Sequence, residues 1–535
     1  MSSSGSRRSA VVPAPELPEV LLNRLLRRVD WRFLLPLPRV QRAVCFADGD
    51  LRDGLALVAK RIVPVEAAGA GDCDLAVVVD PDGATLEAAA SALRPGGVCY
   101  VEWRKFGSGS RRRLAARLHA AGFEFPRSYL AWRSPSRAMA WVPLESANAT
   151  RYFHRQLHSR SPGRQFPARL ARTCFTLGGR AGIVRPLCTL ARKPGAAETV
   201  DGAPSFFETI RRDWSRCGLA GEPDDLSLML LTGGPRSGSK VAGLVFVGSD
   251  PQPPLIVKLA RAAGAAPGLL REAATLRAVE ALRDIAPAQI PRVVFSIEDD
   301  VMVGVGETAL RGVPLLTVLS RRNYRPFALQ ATDWLVKLAN SSRRNDSLSA
   351  GRLVREALEE FELNFGSVIE AHLLVRTRHI LSRLDGLPAV YEHRDFSPWN
   401  LFVTPESRLV VFDWESSELE GLPALDILYF LTYLGSALAR DNTTCGVLQA
   451  SRAALDPTTL TGAVYRECLA RYAEGVGLDA DSFPALRLLV WIVHSCSEYR
   501  RLAADAAARP LDSALRESLF LQLWEAELLR QQVSS

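Results

Sequence analysis

The sequence predicts two folded units in series. The first is an α/β unit on a parallel sheet, and the second an α+β unit that is strand-rich at first and then helical. Three observations predict this. Short apolar runs alternate with helical patterns between about residues 40 and 145. The stretch "ARKPGAAETVDGAPS" (191–205), rich in small residues, Gly and Pro, interrupts the chain. Beyond it, strand patterns crowd residues 226–310 and helical patterns dominate from about 314. A chain of 535 residues exceeds one ordinary core and suggests two to four domains.

The elements follow in order. Residues 1–20 are Ser-, Pro- and Arg-rich and are expected to be disordered. "AVCFA" (43–47) reads as a buried strand and "DLRDGLALVAKRI" (50–62) as a helix. "DLAVVVD" (74–80) is a second buried strand, "ATLEAAASAL" (84–93) a helix and "VCYVEW" (98–103) a third strand. Strands apolar on both faces, alternating with helices, indicate a parallel sheet covered on both sides. After the 191–205 boundary come a helix (206–218), strands at 226–234, 240–249 and 254–260, and a helix around 268–282. The expected domains are 21–190, a linker at 191–205, a strand-rich lobe at 206–312 and a helical lobe at 313–535.

Charge is uneven. Residues 1–200 carry 31 Lys and Arg against 16 Asp and Glu, which leaves 35 against 42 in the remainder. The basic first unit could meet an anionic partner. The nine cysteines, Cys45 to Cys496, include no C-x-x-C pair, so reduced thiols in a cytoplasmic protein are expected. The N-terminal stretch has no apolar segment of signal-peptide length, and no run is long enough to span a bilayer.

The chemistry concentrates in "EHRDFSPWNLFV", followed by "RLVVFDWE" (408–415). His393, Asp395, Asn400 and Asp413 punctuate two short apolar strands that read as a hairpin with Asn400 and Asp413 at its mouth. Phosphoryl transfer needs a carboxylate to accept the proton of an attacking hydroxyl. It also needs oxygen ligands that hold Mg²⁺ against phosphates. One Asn and one Asp suffice for a metal that keeps waters and phosphates as its other ligands.

H-x-D-x-x-x-x-N followed by D-W-E resembles the aminoglycoside phosphotransferase and choline kinase superfamily, over roughly residues 205–520. The resemblance implies a two-lobed, protein-kinase-like fold that transfers phosphate from ATP, with Mg²⁺, to the hydroxyl of a small molecule. It implies Asp395 as catalytic base, His393 as support of the catalytic loop, and Asn400 and Asp413 as metal ligands. "LLTGGPRSGSKVAGLVF" resembles the hairpin over the nucleotide phosphates, which brings in Gly233, Gly234 and Gly238. Lys258 in "LIVKLA" resembles the phosphate-binding Lys, and Glu272 the helix Glu that pairs with it. The Walker A reading of this loop fails, because Gly238-Ser239-Lys240 is not G-K-[ST] and lies between strands. Protein kinases share H-R-D, but no A-P-E follows Asp413 and Ser397 stands where they carry Lys, so a protein acceptor is not expected. The acceptor could be an aminoglycoside, another sugar, an amino alcohol or a lipid-linked glycan, and the donor base is open between ATP and GTP. Asp426 is expected to cap the helix that follows it.

Residues 40–145 resemble the second half of a class I methyltransferase, through "DLAVVV", "LRPGG" and "AGF". This implies a Rossmann-like α/β domain. The first half departs from that pattern: "CFADGDLRDG" offers only Gly49 and Gly54 where a glycine cradle would hold S-adenosylmethionine. A degenerate domain without methyl transfer is expected. The alternatives are a bifunctional methyltransferase–kinase and a catalytically silent kinase-like scaffold.

Overall fold

The computed structural model describes residues 17–36, 38, 40–104, 111–158, 187–195, 206–214, 226–233, 239–248, 250–282, 284–285, 289–298, 302–344, 347–384, 386–504 and 510–533. They form two compact units. The first spans Met1–Leu269 and Val294–Ala309, the second Leu270–Val293 and Leu310–Ser535.

The first unit is organised by a twelve-stranded mixed sheet. Its strands are β1 (Val40–Cys45), β2 (Ala59–Val63), β3 (Cys73–Val79), β4 (Leu93–Trp103), β5 (Glu124–Trp132), β6 (Ala140–Pro143), β7 (Leu187–Arg192), β8 (Leu226–Leu231), β9 (Lys240–Val247), β10 (Leu255–Ala260), β11 (Val293–Glu298) and β12 (Val303–Thr308). The order is β11-β12-β10-β9-β8-β6-β5-β7-β4-β3-β1-β2. β2, β1, β3 and β4 are parallel, as expected from apolar runs such as Leu75–Val78, all buried. From β7 to β10 the pairing is antiparallel.

Helices α1 (Glu19–Arg28), α2 (Asp50–Ala56), α3 (Gly83–Ala92) and α4 (Arg111–Ala120) accompany the parallel part. The helix expected over 50–62 ends at Ala56, and the chain becomes the edge strand β2 instead. The reason is local: β-branched Val58, Ile62 and Val63 favour a strand, and exposed Lys60 and Arg61 suit an unpaired edge. α1 lies close against α2, for a Cβ on Gly54 would stand 2.5 Å from Leu25 O.

The structure departs from the expected boundary at 191–205. Ala191 and Arg192 close β7 inside the sheet, and 196–205 lie outside the described residues. The strands expected to form a separate lobe within 206–312 continue the same sheet, because β8 pairs with β6 through Ala140↔Leu231 and Trp141↔Leu230. Both faces are sealed across this junction. Trp31, Tyr100, Trp141, Leu228, Val245 and Leu259 belong to one buried cluster. Leu130, Val142, Phe153, Met229 and Phe246 belong to another, on the opposite face by strand alternation. Trp31 stacks on Tyr100 with ring centroids 3.8 Å apart.

The second unit is mainly helical. It contains most of α5 (Ala266–Glu280), then α6 (Tyr324–Ser342), α7 (Ser347–Phe365), α8 (Leu425–Ala439), α9 (Phe483–Ala504) and α10 (Leu519–Val533). β13 (Val313–Pro314), β15 (Leu401–Val403) and β16 (Leu409–Val411) form one small sheet, and β14 (Val390–Glu392) pairs with β17 (Glu418–Gly421). The expected hairpin is present, with Leu401 opposite Val411. α8 is buried along nearly its whole length and forms the hub of this core. Among the described residues, no helix is long and apolar enough to cross a membrane.

Candidate active site

The turn after β14 carries His393, Arg394 and Asp395. Arg394 sits at φ 62°, a left-handed conformation that turns adjacent N–H groups away from any strand ladder. Asp426 satisfies two of them: its carboxylate accepts from His393 N at 2.7 Å and Arg394 N at 2.8 Å. Asp426 therefore does not cap the helix that follows it, as the sequence suggested. It lies within the first turn of α8, whose N-cap Ala424 has no side-chain bond, and it anchors the preceding loop. Burial, and next the charge of Glu392, push its carboxyl up to about 7.

His393 is fully buried, and burial pushes its imidazole down to about 4, so the ring is neutral near pH 7. Its Nδ1 accepts from Asp395 N at 3.3 Å, which leaves the proton on Nε2 to be donated to Phe412 O at 3.1 Å. The ring also packs on Trp414, with centroids 4.6 Å apart. His393 thus ties the Asp395 turn to the Phe412–Asp413 turn.

Asn400 is buried and donates from Nδ2 to Asp395 Oδ2 at 2.7 Å and to Asp395 O at 2.9 Å. Phe412 N donates to Asn400 O at 3.2 Å, so the hairpin brings Asn400 and the Phe412–Asp413 turn to the same mouth. Asp413 adopts φ 66°, and the next amide, Trp414 N, donates to Glu272 Oε1 at 3.1 Å. Burial pushes the Asp395 carboxyl up to about 7. The Asn400 hydrogen bond opposes this shift, the charges of Asp413 and Glu415 add to it, and a hydrogen bond from Tyr429 opposes it.

Asp395 opens onto a cavity of about 780 Å³ within the second unit, walled by Arg394, Glu415, Tyr429, Tyr433, His494 and Phe520 among others. A second cavity, of about 540 Å³, is lined by Leu428, Thr432 and Trp491. Asp395 does not line that second cavity, so it is not the candidate centre.

The site residues expected in the strand-rich part divide between the two units. Lys258 is on β10 in the first unit, where its Nζ pairs with Glu307 Oε2 at 2.9 Å. Glu272 is on α5 in the second unit, where it holds the Trp414 amide. Gly233 follows β8, whereas Gly234 and Gly238 lie outside the described residues. Sequence reasoning missed Glu307 and Tyr429. Both carried a signal: Glu307 stands two residues beyond Val305, the partner of Lys258, and so shares its face. Tyr429 follows Asp426 by three residues on one helix.

Among the described residues, no group of three or more His, Cys, Asp and Glu could hold a metal. An amide oxygen on Asn400 with a carboxylate on Asp413 fits Mg²⁺, which takes few protein oxygens.

The site is thus a half-buried loop carboxylate clasped by an Asn, with a second Asp at the mouth of the following hairpin. Residues 241–459 match the family model described as "Phosphotransferase enzyme family". The matched segment includes Lys258, Glu272, His393, Asp395, Asn400 and Asp413. Several solved structures are similar. The GDP complex of wild-type aminoglycoside 2′-phosphotransferase-IIIa is 16% identical, with 55% of this chain and 90% of that chain covered and a TM-score of 0.36. The apo form of a thermostable mutant of aminoglycoside phosphotransferase APH(4)-Ia is 14% identical, with 54% and 93% covered and a TM-score of 0.35. Aminoglycoside phosphotransferase APH(3″)-Id from Streptomyces rimosus, in complex with ADP and streptomycin, is 15% identical, with 47% and 90% covered and a TM-score of 0.30. No curated protein matches the chain.

Proposed function

We propose that the chain is a Mg²⁺- and nucleotide-dependent phosphotransferase that acts on a hydroxyl of a small molecule, with ATP as the donor. The observation that carries this reading is the Asp395–Asn400 pair, 2.7 Å apart, at the edge of the 780 Å³ cavity. Asp395 accepts the proton of the acceptor hydroxyl and Asn400 holds the carboxylate in orientation. A carboxyl pushed up to about 7 is a stronger base than a solvated Asp and is still substantially ionised near neutrality. His393 and Asp426 fix the loop, and the aromatic wall of Tyr429, Tyr433 and Phe520 excludes water from one side of the acceptor. Asn400 and Asp413 would hold Mg²⁺, which supplies charge neutralisation for the phosphate oxygens when bound. Lys258, fixed by Glu307, would face the phosphates.

Residues 21–190, on this reading, are a degenerate methyltransferase-like domain that transfers no methyl group. In open α/β sheets, ligands sit outside the carboxyl ends of the strands. Here that end of β4 is taken up by protein: buried Glu102 pairs with Arg28 and Arg104 and accepts from the Tyr100 hydroxyl, and Asp80 accepts from Arg104 N.

Acceptor-dependent nucleotide turnover tests the proposal. One variant separates the metal from the base. Asp413→Asn removes a charged ligand, so turnover should require several-fold more Mg²⁺ and recover in part when Mg²⁺ is raised. A Mg²⁺ titration superimposable on wild type would take Asp413 out of the metal site.

A further inference from the structure

The 540 Å³ cavity of the second unit is separate from the one onto which Asp395 opens. Small-molecule sites run from about 300 to 1,000 Å³ and are mostly apolar, with a few polar groups that fix orientation. This cavity has both parts. Its apolar wall is Leu428, Leu448, Leu455, Leu523 and Trp491, supplied by α8, the helix Thr444–Leu455, α9 and α10. Leu529 also lines it and is 57% exposed, so the apolar wall runs out to solvent. α8 divides the two cavities: Leu428 and Thr432 face this one, and Tyr429 and Tyr433 the other.

The polar wall carries surplus positive charge, with Arg452, Arg487 and Arg530 against Asp456 and Glu527. Buried Glu527 is saturated by its neighbours. Arg530 gives it Nε at 3.1 Å and Nη2 at 2.6 Å, Gln531 donates at 2.8 Å, and Arg487 gives only its Nε, at 3.0 Å. One carboxylate thus serves two guanidiniums and neutralises one of them. Tyr465 hydrogen bonds the Arg487 guanidinium as well, and the remaining N–H groups of that five-donor fork are left for the cavity. Asp456 turns Oδ1 to Thr458, accepting from N at 2.9 Å and from Oγ1 at 2.7 Å. Among the described residues, Arg452 forms no ion pair.

We infer that this cavity is a second binding site, for a small amphipathic anion. The apolar body lies against Leu428, Leu448, Leu523 and Trp491, and a carboxylate or phosphate head meets Arg487 and Arg452. A guanidinium fork matches either oxyanion, and apolar surroundings strengthen the contact. Asp395 does not line this cavity, so the inference stands apart from the phosphotransferase reading.

The test is calorimetric titration of the full chain with octanoate, octyl phosphate, octanol and octylammonium, for wild type, Arg452→Gln and Ala526→Phe. Losing one charge-assisted contact costs about tenfold in affinity. Octanoate and octyl phosphate should therefore bind one to one and at least about tenfold more tightly than octanol, with octylammonium weaker still. Arg452 is exposed, so Arg452→Gln should fold normally, raise Kd for both anions about tenfold and leave octanol unchanged. Ala526 lines the cavity, and a Phe there should fill it and abolish binding of both anions. Should that variant fail to fold, Arg452→Gln decides alone. A higher affinity for octanoate than for octyl phosphate, or the reverse, names the head group and supports the site. Octanol binding as tightly as the anions, anion binding unchanged in Arg452→Gln, anion binding that survives in folded Ala526→Phe, or no binding by folded wild type would each overturn it.

Discussion

Asp395→Asn should lower kcat by about 10²–10⁴-fold, with the nucleotide KM nearly unchanged. The substitution keeps the shape of the side chain and removes the proton acceptor. The Asn400 Nδ2 group still finds the Asp395 backbone oxygen, 2.9 Å away, so the loop should persist. pH gives an independent readout. On the proposed reading the base works as carboxylate, and burial holds this carboxyl up to about 7. Wild-type kcat/KM should therefore rise as pH increases through about 7 and level off above it, and the variant should lose that limb. Asp426 also titrates up to about 7, but it faces the His393 and Arg394 amides rather than the cavity. A limb that survives Asp395→Asn would assign the titration to Asp426 instead. Rescue of the variant by excess Mg²⁺ would place Asp395 among the metal ligands, contrary to its assignment as base.

Deleting residues 1–205 should abolish a soluble, folded product. The cut removes β6, the partner of β8, and leaves β8 as a bare edge. It strips Trp31, Tyr100 and Trp141 from one core cluster and Leu130, Val142 and Phe153 from the other. It also deprives Arg261 of Asp30, leaving a buried cation without that partner. Size-exclusion chromatography and thermal unfolding of the 206–535 fragment check this. Aggregated or non-cooperative material is expected. A monodisperse fragment that melts like the full chain would show that the sheet junction contributes little.

The order and spacing of His393, Asp395, Asn400 and Asp413 made their juxtaposition legible. These residues fall within 21 positions on one hairpin and its leading turn, so local sequence fixes their neighbourhood. The parallel strands were legible for a similar reason, since runs such as "DLAVVVD" are apolar on both faces. The supporting partners were not. Asp426 anchors a loop 32 and 33 residues back, Glu272 reaches an amide 142 residues on, and Arg261 pairs with Asp30 across 231 residues. No periodicity encodes such separations. The fused sheet was hidden for the same reason. "AWVP" is a short strand, its pairing with β8 is long-range, and the Gly- and Pro-containing stretch between them has the composition of a linker.

The most direct measurement is acceptor-dependent ADP release by the full chain, with Mg²⁺–ATP, across a library of aminoglycosides, sugars, amino alcohols and lipid-linked glycans. Phosphoryl transfer to a hydroxyl predicts at least one acceptor that raises ADP release above the acceptor-free rate, yields a product heavier by one phosphate, and loses this stimulation in Asp395→Asn. Folded wild-type protein that binds no nucleotide, or whose ADP release is the same with every acceptor and in Asp395→Asn, would contradict it.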